Sequence, residues 1–238
     1  MSEKIPYYKQ WYQDCVVDDE EEIRRFADAA VISIQDRLRV EIDPKLAIAI
    51  YCGCLESYVD YLKQKQDEYP EFGIKIMDTL EIGYTTTDDE DDEKSGNFVI
   101  SMYHCPNFPT VTTNTMLEKS TEIVTQWAHT NLLGDDAVIY KELNSNAKRW
   151  LKDHYKLSLE QPELTLMIFL IVHEAIIKGM EIRRSELGVS LFSITIAGLI
   201  TIQCSEDEDG GDSILFKMEP AIKVAGKNDR VATGVYES

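Results

Sequence analysis

Between residues 18 and 39, apolar side chains recur at Ile23, Phe26, Ala30, Ile34 and Leu38, the spacing of a helix with one buried stripe. Asp18 or Asp19, with Glu21 or Glu22 three residues on, predicts a capping box at its start. Carboxylates in that first turn also suit the helix dipole. Asp43-Pro44 predicts a second helix that begins on a capped proline and runs to about Tyr69. From Phe72 the period changes to two. Phe72, Ile74, Ile76, Leu80, Ile82 and Tyr84 fall on one face and Lys75, Thr79, Glu81 and Thr85 on the other, which predicts one half-buried strand with Asp78 out of place on its apolar side. Ser95-Gly96-Asn97 is a turn signal, and Phe98 to Met102 reads as the returning strand.

The second half of the chain follows a similar course. A helix over residues 115–130, with Gly134 placed to end it, leads to another over 136–157. A further helix begins at Pro162, and its stretch from Leu164 is apolar nearly all round, as a central buried helix requires. Phe192, Ile194, Ile196, Ile200 and Ile202 then alternate with Ser, Thr, Ala and Gln, predicting a second long strand. Gly210-Gly211 turns the chain into Ile214 to Met218.

The two courses register with each other. Pro44 and Pro162 lie 118 residues apart, as do Ile74 and Phe192, Ile82 and Ile200, and Asp88 and Glu206. Before the prolines the offset is 117, pairing Phe26 with Leu143 and Ile34 with Leu151; after the turns it is 116, pairing Phe98 with Ile214. Repeated pattern in order predicts an internal duplication. The expected fold is α+β, two related ααββ halves with antiparallel hairpins joined by an additional helix. The corresponding segments are an aromatic N-terminal arm (1–17), a first half (18–106), a connecting helix (107–134), a second half (135–218) and a C-terminal tail (219–238).

Composition adds a bound on partners. Of 43 Asp and Glu residues, 15 lie in the runs Asp18 to Glu22, Asp88 to Glu93 and Glu206 to Asp209; without them 28 acids face 24 Lys and Arg, so most of the net charge of −19 is local. Neither nucleic acid nor an anionic membrane is expected as a direct partner of such a chain. No apolar run approaches the roughly 18 to 20 residues that cross a bilayer. Met1-Ser2-Glu3-Lys4-Ile5-Pro6 does not resemble a secretory signal, and the five irregularly spaced cysteines suit free, mostly buried thiols. The expected location is the cytoplasm.

Candidate chemistry fails at specific positions. His173-Glu174 lies in a helix, but the zinc-protease pattern needs a second histidine where Ile177 stands. The plain reading is a polar pair at the edge of a buried face, with Glu174 bridging to Lys178. Cys52 and Cys54, two apart on a helix, point to different sides. Neither Gly96 nor Gly210, taken as the sixth position of a calcium loop, finds a glutamate at the twelfth. No catalytic residue, metal or cofactor is assigned.

The termini carry the functional expectation. Tyr7, Tyr8, Trp11 and Tyr12 crowd four aromatics into six positions, and the tail holds Ile222, Val224, Val235 and Tyr236 among polar residues. These eight residues are the expected interface of a non-enzymatic protein that associates with itself. A second reading makes the acidic tips, Asp88, Asp89, Asp91, Asp92, Glu206, Asp207, Glu208 and Asp209, a decoy for a nucleic-acid-binding protein. A third gathers His104, Cys105, His173, Glu174 and Cys204 into a metal-dependent hydrolase.

Overall fold

A computed structural model describes residues 6–66, 73–76, 80–86, 96–102, 125, 134–159, 162–206, 212–218, 222–223 and 231–232. The chain is α+β. Helices α1 (Tyr7–Cys15), α2 (Glu20–Leu38) and α3 (Pro44–Gln66) precede strands β1 (Gly73–Ile76), β2 (Leu80–Thr86) and β3 (Gly96–Met102). Helices α4 (Gly134–Tyr155) and α5 (Pro162–Leu187) precede β4 (Leu191–Ile196), β5 (Ile200–Glu206) and β6 (Asp212–Met218). Each strand trio forms an antiparallel sheet in chain order, and β3 lies beside β6.

The core sits where α3 and α5 meet. Both are apolar over successive positions, and both are buried there: Ala47 to Leu55 of α3 and Leu166 to Val172 of α5 are buried throughout. The Tyr51 and Phe169 rings stack between them at 5.2 Å. Around this pair, α2 packs on α5 and α4 packs on α3, so each first helix lies against the other half's second helix. The amphipathic stripes explain the placement, with Ile23, Phe26, Ala30, Ile34 and Leu38 of α2 and Leu143, Ala147, Leu151 and Tyr155 of α4 all buried.

Several elements differ from the sequence reading. The aromatic N-terminal segment is helical, and it packs on α3 and α4 of its own chain. Tyr12 is buried, Trp11 meets the Tyr155 ring edge-on at 4.9 Å, Tyr8 is half-buried, and Tyr7 remains exposed. The capping box at α2 does not form. Asp19 stands at its N-cap with φ 54°, its side chain makes no capping bond, and Oδ2 instead accepts the Thr195 backbone N–H of β4 at 2.9 Å. At α3 the expected cap is present, Asp43 Oδ1 accepting the Lys45 N–H at 2.9 Å with Pro44 opening the helix. Gly134, read as the end of a preceding helix, is the first residue of α4. That preceding helix, at 115–130, lies outside the described residues apart from Thr125, which is helical.

Each predicted long strand is two strands. Ile76 pairs with Leu80 and Ile74 with Ile82 across β1 and β2; Ile196 pairs with Ile200 and Phe192 with Cys204 across β4 and β5. Three residues separate the strands at both places, so the inward parity is the same before and after the turn and the alternation runs on unbroken. In the second turn Ala197 and Gly198 take φ 55° and 63°, and the Leu199 N–H bonds the Ile196 carbonyl at 3.0 Å. Asp78, read on the apolar face of the first long strand, lies outside the described residues. In the tail, residues 222–223 and 231–232 pair as a short ribbon, β7 and β8.

Candidate functional site

The two crossed helix contacts differ in what fills them. On the α3/α4 side, Tyr61 and Trp150 project into the contact. The Tyr61 hydroxyl donates to Glu142 Oε2 at 3.0 Å, and the Trp150 indole N–H donates to Glu56 Oε2 at 2.9 Å. What remains is a cleft of about 180 Å³, edged by Asp60, Asp153 and Arg149. On the α2/α5 side lies a groove of about 410 Å³, lined by Phe26, Ala29, Ile171, Ala175 and Ile182 and rimmed by Arg25, Arg37, Lys178 and Arg183 against Glu174 and Glu186.

The size difference has a residue-level cause. With offsets of 117 for the first helices and 118 for the second, the position of Trp150 corresponds to Ser33 and that of Tyr61 to Gly179. Both line the larger groove. The Ser33 hydroxymethyl leaves open the place that the Trp150 indole fills in the other contact, whereas beside Gly179 the Phe26 ring takes up the room. Gly179 also lets α2 approach closely, since a Cβ there would lie 2.3 Å from the Phe26 ring.

The rim is held by ion pairs. Glu174, 9% exposed, accepts from Arg37 Nη1 at 2.7 Å and from Lys178 Nζ at 2.5 Å; the latter is the bridge read from sequence. Arg183 makes a forked contact with Glu22, its Nε and Nη2 each within 3 Å of a carboxylate oxygen, and Nη1 reaches Glu186 at 2.8 Å. Arg25 bonds Glu21 at 2.7 Å. The four cations of the rim, Arg25, Arg37, Lys178 and Arg183, are matched by Glu21, Glu22, Glu174 and Glu186, so the rim is a balanced set of ion pairs. Ile182, 57% exposed, stands among these charges as an open apolar surface.

His173 does not face this groove. It is fully buried between the Phe169 and Phe216 rings, with Nδ1 3.0 Å from the Tyr51 hydroxyl, and burial lowers its pKa to about 3. It is therefore a neutral core group, and Glu174, one residue on, turns to α2. Cys204 is buried on the inner face of β5, while His104 and Cys105 lie outside the described residues. Among the described residues, no three His, Cys, Asp or Glu side chains converge as a metal site would require. Cys52 and Cys54 are buried thiols, and burial pushes both up in pKa.

Of the acidic tips, Glu206 ends β5 and lies 3.8 Å from Arg184; Asp88, Asp89, Asp91, Asp92, Asp207, Glu208 and Asp209 lie outside the described residues. Of the tail candidates, Ile222 belongs to β7, and Val224, Val235 and Tyr236 lie outside the described residues. The groove residues were missed because single positions such as Ser33 and Gly179 carry no motif. Reading the 117 and 118 offsets for size, not only for polarity, would have exposed them. No family model, curated protein or solved structure matches this chain. Among the described residues, no helix is long and apolar enough to cross a membrane.

Proposed function

We propose that this protein is a non-enzymatic interaction protein that associates with itself, built from two related halves, with the α2/α5 groove as its docking surface. The observation that carries the reading is the open groove: an apolar floor with a rim of ion pairs, at the place where the opposite contact is filled by Tyr61 and Trp150. Apolar concave surface with polar edges is the usual anatomy of a protein-binding site. The duplication is supported by matching element order and by Arg39 and Lys156, non-glycine residues 117 apart that both follow a first helix with φ near 57°.

Light scattering over a wide concentration range tests the reading, with Ser33→Trp filling the groove as Trp150 fills its counterpart and Ile182→Glu charging its exposed edge. The intact protein should grow into dimers with concentration, and both variants should stay smaller while keeping the parent circular dichroism. An intact protein that is monomeric throughout, or variants that associate as the parent does, would reject it.

A further inference from the structure

We propose that the α3/α4 cleft binds a primary alkylammonium ion, a short free amine held by Ser57, Asp60 and Asp153, at a site separate from the α2/α5 groove. Ser57 is the residue that points to a ligand. It is only 2% exposed, its hydroxyl has no hydrogen-bond partner among the described residues, and it lines the cleft. A buried hydroxyl without a partner is costly, and a bound donor relieves that cost. At the 118-residue offset Ser57 and Asp60 correspond to Ala175 and Lys178, so the related groove has neither acceptor.

The charges around Ser57 decide which donor it takes. Asp60, one turn along α3, accepts from the neutral Gln64 amide at 2.7 Å, and Asp153 of α4 lines the same cleft. Among the described residues neither carboxylate has a cation within ion-pair distance. The guanidinium of the lining, Arg149, is drawn to its own helix, donating to Asn146 Oδ1 at 2.6 Å. The cleft therefore presents two uncompensated carboxylates and an unpartnered hydroxyl. A primary ammonium has three N–H donors, one for each of these groups. Its carbon chain meets the Tyr61 and Trp150 rings, which attract a cation as well. No three His, Cys, Asp or Glu side chains converge among the described residues, which favours an organic cation over a bare metal ion. The net charge of −19 draws cations to the surface at large.

The experiment is a calorimetric titration of the full chain with propylammonium chloride, beside tetramethylammonium chloride, which carries the charge without an N–H. The parent should bind one propylammonium per chain and tetramethylammonium about tenfold more weakly, as loss of hydrogen bonds to charged groups requires. Ser57→Ala and Asp60→Asn should each weaken propylammonium binding about tenfold while keeping the parent circular dichroism. Absence of binding, equal binding of the two cations, or unchanged binding by both variants would overturn the proposal. Sedimentation of Asp60→Asn separates the two sources of such a group. Association equal to that of the parent supports a free amine; loss of association would put a lysine of a second copy in the cleft and reject the free amine.

Discussion

Glu56 and Glu174 occupy the same place in their helices, each twelve residues beyond the proline that opens it, yet their carboxyl groups take opposite kinds of partner. Glu56 accepts the Trp150 indole N–H and the Tyr155 hydroxyl, both at 2.9 Å, with uncharged donors only. Glu174 is bracketed by Arg37 and Lys178. The first arrangement closes a helix contact with aromatic bulk; the second leaves a groove edged by charge.

Burial raises the Glu56 pKa, partly offset by the Trp150 and Tyr155 bonds, so the folded state favours its proton. A raised carboxyl contributes most at low pH and loses that contribution as pH rises through the folded pKa. Glu56→Gln keeps an acceptor and a donor for the two aromatic groups and carries no charge. Its stability relative to the parent should therefore improve between about pH 4.5 and pH 7. Glu56→Leu strands both donors and should cost about 2–3 kcal/mol in urea unfolding.

His173 gives the opposite slope. Its folded pKa of about 3 lies below that of an unfolded histidine, so the unfolded chain binds the proton first. This contribution is full above about pH 6.5 and declines as pH falls, by about 2 kcal/mol at pH 5. Replacing His173 and Tyr51 together by Phe removes both partners of their hydrogen bond. The double variant should show a flatter stability profile between pH 7 and pH 5 than the parent, measured by urea midpoints at each pH.

Gly179→Ala should destabilise the fold by about 1–3 kcal/mol, because the added Cβ meets the buried Phe26 ring at 2.3 Å and outweighs the better helix propensity of alanine. Phe26→Leu withdraws the ring atoms. The double variant should then be more stable than the sum of the two single changes predicts, a coupling that thermal unfolding of all four proteins would reveal.

Asp19 joins the start of α2 to β4 through the Thr195 N–H while holding a left-handed backbone. Asn tolerates that conformation and retains an acceptor, so Asp19→Asn should unfold within about 0.5 kcal/mol of the parent. Asp19→Ala loses the bond and is strained, and should fall lower by about 1–2 kcal/mol. Equal stability of the two variants in urea would show that this link contributes nothing.

Local periodicity determined the helices. The stripe from Ile23 to Leu38, the Asp43-Pro44 start of α3 and the all-round apolar character of α5 are each set by residues within a few turns of one another, and the structure follows them. The same local rule concealed the turns after Ile76 and Ile196, because a three-residue loop preserves strand parity. Asp19 shows why the capping signal was insufficient: its preferred partner, Thr195, is 176 residues away. The sequence order of Tyr61 and Trp150, or of Ser33 and Gly179, carries no sign that each pair shares a contact. Only the crossing of α2 over α5 and of α4 over α3 decided that, since packing brings together side chains that the chain itself keeps far apart.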